Sequence, residues 1–157
     1  MATSIHHAIL TQVQVDVRAL DLVGLNDEDI QLCAIPLPEA KYFKRYPAIT
    51  ISPFGAEIIN PKAGTAASDD IGYPVQIALI DSAEQDQQTD LELWLEWRED
   101  TVDKFIKNRW AAVSELVQVY EIDVEPGIII DPAAWLQRNL MVSPFGLRVW
   151  YRKQRRI

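Results

Sequence analysis

Apolar residues recur at helical spacing in two stretches of this chain and at strand spacing in several others. From Ser4 to Leu20, Ile5, Ile9, Val13 and Val17 stand four apart, joined by Ala8 and Leu20, which predicts a one-sided helix with Ser4 as its N-cap. Its β-branched residues lower helix propensity, so packing against a sheet must hold it. Gly24 is a stop signal, and the acidic turn 26–29 precedes the apolar run 30–35, the first predicted strand. Pro36 and Pro38 interrupt it, and 39–45 is a charged connection. The stretch 46–55 alternates inward and outward residues and closes on Ser-Pro-Phe-Gly, predicting a strand ended by a turn, with 56–59 as a short continuation.

Residues 60–70 are small and polar, a segment that orders only against a partner. The run 73–80 then predicts the central strand, and 81–89 a second polar loop. From 90 to 110 lies the main helix, with an apolar stripe at Leu91, Trp94, Leu95, Val102, Phe105, Ile106 and Val113 bordered by Arg98 and Arg109. Leu93 and Trp97 fall on another face. They need a second neighbour, either a covering segment of the same chain or another subunit, and they are the candidate subunit-interface residues.

The run 116–124 alternates again, Pro126-Gly127 turns it, and Asp131 is placed to cap a short helix opening at Pro132. After 140–142, a second Ser-Pro-Phe-Gly at 143–146 predicts another turn before a last strand, 147–151. The order of elements implies an α+β class: a mostly antiparallel or mixed sheet flanked by an N-terminal helix and a long central helix. At 157 residues the chain is expected to form a single domain, 1–157, with a short basic tail at 152–157.

Charge changes this picture. The net charge is -8, yet 148–157 holds Arg148, Arg152, Lys153, Arg155 and Arg156 with no acid. The remaining 147 residues therefore carry 10 basic and 23 acidic side chains, a net of -13. An acidic body with a basic end suits head-to-tail contact between copies, or contact of the tail with an acidic partner, so Asp69, Asp70, Arg152, Lys153, Arg155 and Arg156 are candidate docking residues. Four clustered positive charges attract phosphate only weakly and no stacking platform accompanies them, which argues against sequence-specific nucleic-acid recognition. No apolar run approaches the roughly 18 residues that span a bilayer, and 1–25 lacks the pattern of a secretory signal.

Little in the chain suggests catalysis. His6 and His7 are adjacent, pointing about 100° apart on a helix, and cannot grip one ion together. Glu96, Glu99, Asp100 and Asp103 share a helical neighbourhood, but Lys104 and Lys107 lie four residues after Asp100 and Asp103, the pattern of a solvated ion-paired face. Asp69-Asp70 lacks the spacing of a calcium loop. The single cysteine, Cys33, sits in an apolar run where an inert thiol is expected. No catalytic, cofactor or metal site is assigned.

The segments Tyr46-Pro47-Ala48-Ile49-Thr50-Ile51, Asp70-Ile71-Gly72-Tyr73-Pro74-Val75 and Trp97-Arg98-Glu99, with the basic last strand, resemble the small neck or tail-completion proteins of tailed bacteriophages, the tail terminators above all. The resemblance implies a structural virion protein without enzymatic activity, assembled in the host cytoplasm. Its subunits would form a hexameric ring that ends the tail tube and meets the neck connector, with DNA passing through. A head-completion adaptor or stopper is the alternative within the same group, and a small enzyme with an unrecognised site the alternative outside it.

Overall fold

A computed structural model of the protein describes residues 4–36, 46–60, 68–83, 90–106, 110, 113–134 and 139–154. Helix α1 (Ile5–Ala19) opens where expected, with the Ser4 hydroxyl accepting the His7 N–H at 3.2 Å. It buries Ile9, Leu10, Val13 and Val17 on one stripe. The chain turns back through Asp21 and Gly24, both at positive φ, and a single 3-10 turn (Asp27–Asp29) is closed by the Asn26 N–H donating to the Asp29 carboxylate at 2.9 Å.

Among the described residues six strands follow in one sheet: β1 (Ile30–Leu32), β2 (Ala48–Ser52), β3 (Ile58–Asn60), β4 (Ser68–Ser82), β5 (Val119–Glu125) and β6 (Leu140–Gln154). Their order is β1-β2-β4-β6-β5, with β3 beside β4 beyond the end of β2. Among the described strands only β1 and β2 run parallel, so the sheet is mixed and the class is α+β. Helix α2 (Leu91–Ile106) packs over β5 while α1 packs over β1 and β2. Both helices bury their apolar stripes on the odd-numbered residues of β4 and β6, among them Val75, Ile77, Leu79, Phe145 and Leu147. A small second cluster of Ala78, Ile80, Ala134 and Val142 covers part of the opposite face.

Strands β4 and β6 are 15 residues each, paired without interruption from Ser68↔Gln154 to Ser82↔Leu140. Each is longer than its sequence suggests. β4 begins five residues before Tyr73 and takes in Asp69 and Asp70. β6 runs straight through the second Ser-Pro-Phe-Gly, where a turn was expected. The ladder explains why prolines are tolerated. The Val142 carbonyl accepts the Asp131 N–H and the Arg152 N–H donates to the Gln118 carbonyl, so even-numbered residues of β6 direct their backbone groups away from β4. Pro144 therefore faces the side where β5 has already stopped, at Glu125 opposite Gly146, and removes no ladder bond. Pro74 likewise falls in the gap between Gln76, the last partner of β2, and Gly72, the first of β3. There its free carbonyl lies 2.7 Å from His6 Nε2.

Other boundaries moved for local reasons. β1 stops at Leu32, leaving Ile35 exposed and Cys33 half-buried, its thiol pushed up by burial. The strand expected from 116 starts at Val119, after a 3-10 turn (Ser114–Leu116) that buries Leu116. Gly127 passes so close to the Pro144 carbonyl that any side chain there would collide with backbone. Asp131 does accept the Ala133 N–H at 2.9 Å, at the start of a helical turn over 132–134.

Candidate docking surface

The buried stripe of α2 is Trp94, Trp97, Thr101 and Phe105, whereas Leu91 and Ile106 are 57% exposed. These positions follow one another by three or four residues, so Trp97 lies at the centre of the buried face. Thr101 interrupts the apolar periodicity of this stripe, and its hydroxyl donates to the Trp97 carbonyl at 2.6 Å and needs no water. Trp97 is 3% exposed within the single chain, with its ring against Gly24 and its centroid 6.4 Å from that of Trp94. The expectation that another subunit covers Trp97 is thereby corrected: the chain covers it. Leu93 is half-buried against the same core.

The candidate docking residues also divide. Asp70 of β4 lies directly opposite Arg152 of β6, and the pairing is bidentate, Nε to Oδ1 at 2.9 Å and Nη2 to Oδ2 at 3.2 Å. The Tyr120 hydroxyl, reaching over from β5, donates to the same carboxylate at 3.0 Å, and the Arg152 guanidinium stands 5.1 Å from the centre of the Tyr120 ring. Asp70 is 2% exposed. Neither Asp70 nor Arg152 is thus a free docking group, because the register of the two long strands brings them together. Asp69 and Lys153 stand opposite one another in the next pair. Lys153 is exposed, and Arg155 and Arg156 lie outside the described residues.

The same sheet face continues with three further contacts. Arg148 donates to Glu125 at 2.8 Å and to the Ala56 carbonyl at 2.8 Å, and Trp150 Nε1 donates to Asp123 at 2.9 Å. On the helix side, Arg98 donates to Ser143 at 2.8 Å and Trp110 Nε1 to Asp16 at 2.7 Å. Neither a protein-family model nor a curated protein matches this chain. Its chemistry must therefore be read from these side chains. An ionised carboxylate taking three donors, as Asp70 does, is an anchor for the strands around it. Among the described residues no group of three or more His, Cys, Asp or Glu side chains stands ready to hold a metal ion, and no helix is long and apolar enough to cross a membrane. The acidic residues Glu96, Glu99, Asp100 and Asp103 are exposed on α2, as a solvated face would be.

What sequence reasoning missed is at the edges of the sheet. On the β1/β3 side Ile35, Phe54, Ile58 and Ile59 are exposed, and on the β5 side Val117, Ile128 and Ile129 are. Only the sheet order, which puts these segments at opposite ends, makes them two surfaces.

The Asp70 cluster has a pH signature. The hydrogen bond from Arg152 chiefly holds the Asp70 carboxyl below its ordinary value of 3.8. Its stabilisation is therefore in place above that value and is lost as pH falls through the lowered one. Tyr120 behaves oppositely, its phenol pushed up to about 12 by burial and then by the hydrogen bond to Asp70. Its share is in place below its ordinary value of 10.0 and disappears as pH rises through about 12. In a tyrosinate absorbance titration, Tyr120→Phe should remove a component near pH 12; an unchanged high-pH limb would contradict the assignment.

Proposed function

We propose that this chain is a structural virion protein of a tailed phage, assembling head to tail into a ring that terminates the tail tube and joins it to the neck connector. The observation that carries the reading is the pair of apolar sheet edges, Phe54, Ile58 and Ile59 on one side and Val117, Ile128 and Ile129 on the other. Two unlike adhesive surfaces at opposite ends of a subunit are what a heterologous contact needs, and such a contact closes into a ring when its rotation permits. The charged and aromatic groups between them are joined to one another, in keeping with a protein that works by shape. The likeness of 46–51, 70–75 and 97–99 to the tail terminators supplies the phage context.

Light scattering of the purified chain, followed by negative-stain imaging with tail tubes or with filled heads, tests the reading. Rings seated on tube ends are expected. Rings that seat on heads alone would favour an adaptor or stopper, and a chain that stays single and leaves tube ends bare would refute the proposal.

A further inference from the structure

β5 is the outermost strand of its side, and among the described residues it pairs with β6 alone. Its register fixes which groups it has left. Gly146, Arg148 and Trp150 direct their backbone toward β5, so Glu125, Asp123 and Glu121 answer them, and the N–H and C=O groups of Ile122 and Val124 point out of the sheet. An edge of this kind is a template for another strand.

The side chains decide which strand. Glu121, Asp123 and Glu125 are exposed, alternate along β5 and share one face. Asp123 and Glu125 each take one donor from β6, which leaves acceptor capacity on both. Two-fold pairing of this edge with its own image would set carboxylates against carboxylates, which is unfavourable for directly opposed like charges. A strand with positive charges at every second residue fits instead, and the chain contains one. Lys153 and Arg155 are two apart in Lys153-Gln154-Arg155-Arg156, the same repeat as the acidic row. The Arg152 N–H makes the bond to Gln118 at the start of β5, and β5 pairing ends at Tyr151, so β6 has passed its own neighbour by Lys153. Lys153 and Gln154 are exposed there.

We propose that the β5 edge of one copy receives the basic segment Lys153–Arg156 of a second copy as an added strand, with Lys153 and Arg155 set against the acidic row Glu121, Asp123 and Glu125. Arg152 stays with its own Asp70, so the donated segment begins one residue later. This deepens the ring reading and rests on it, since it names one of the contacts by which copies join. A donor end and an acceptor edge on the same subunit give a head-to-tail contact.

Charge reversal tests the contact. Glu121→Lys, and separately Arg155→Glu, which leaves the Asp69 and Lys153 ladder pair intact, should each raise by roughly tenfold the protein concentration needed for assembly. Melting curves followed by far-ultraviolet circular dichroism should be unchanged in both. Both weakening effects should shrink at high salt. If the wild type assembles and the reversals assemble equally well, the strand-addition proposal is wrong while assembly stands. If the wild type is single at every concentration, assembly itself is refuted and this contact with it.

Discussion

Trp97→Ala is expected to destabilise the single chain by about 3–5 kcal/mol, the usual cost of emptying a buried aromatic site. Trp97 is 3% exposed at the centre of the α2 stripe, beside Trp94 and against Gly24, whose φ of +84° lets the chain pass under the indole without a side chain. The loss should appear as a lower denaturant midpoint with little change in slope, and at protein concentrations too low for assembly. Set against a typical net stability of about 5–15 kcal/mol, it is large enough to leave a measurable unfolded fraction near physiological temperature. Placing Trp97 at a subunit interface, one of the two readings open from sequence, leads to the other expectation, assembly weakened more than single-chain stability, so the two accounts separate cleanly. Trp97→Phe sharpens the test. Among the described residues Trp97 Nε1 is buried without a hydrogen-bond partner, and phenylalanine removes that unsatisfied donor while keeping much of the apolar volume. Its cost should stay below about 1.5 kcal/mol. Equal losses for the two substitutions, or stability unaltered by alanine, would show that this indole is not packed as described.

Ending the chain after Tyr151 is expected to weaken the fold as well as any docking, because Arg152, Lys153 and Gln154 are the last residues of β6 and stand opposite Asp70, Asp69 and Ser68. Lost ladder hydrogen bonds cost about 1 kcal/mol each. Asp70, 2% exposed, would also lose both of its guanidinium contacts and keep only Tyr120. With those contacts gone, burial raises the carboxyl where Arg152 had lowered it. The gap in stability between the full and shortened chains should therefore be widest near neutral pH and narrow as pH falls below the ordinary carboxyl value, which denaturation at a series of pH values would reveal. Ending the chain after Gln154 is the control. It preserves the ladder and the Asp70 pairing but removes Arg155 and Arg156, so it should leave stability intact and weaken assembly. A shortened chain ending at Tyr151 that is as stable as the full one at neutral pH would count against the β4/β6 register at that end.

Periodicity alone located α1, its Ser4 cap, the cores of β2, β4 and β5, and most of α2. In each of these the pattern of side chains is itself the physical cause: four-residue spacing of Ile9, Val13 and Val17 makes one buried face of a helix, and alternation makes one buried face of a strand. The Ser-Pro-Phe-Gly at 52–55 and its repeat at 143–146 show where that logic stops. The same four residues leave the ladder after Ser52 in one place and continue it at full burial of Phe145 in the other. A proline interrupts a sheet only where its missing N–H was needed, and that depends on whether a neighbouring strand extends that far, a fact absent from the local sequence.

Segment by segment, then, the amino-acid order determined the cores of the main helices and strands, the α+β class, and the division into an acidic body and a basic end. Only the tertiary structure decided that Trp97 turns inward, that Asp70 and Arg152 bind each other, and which of the exposed apolar residues lie at the two opposite edges of the sheet. The reason is physical: local spacing fixes the direction of a side chain relative to its own element, whereas its neighbour is fixed by strand order and register, which join residues as far apart in the chain as Asp70 and Arg152.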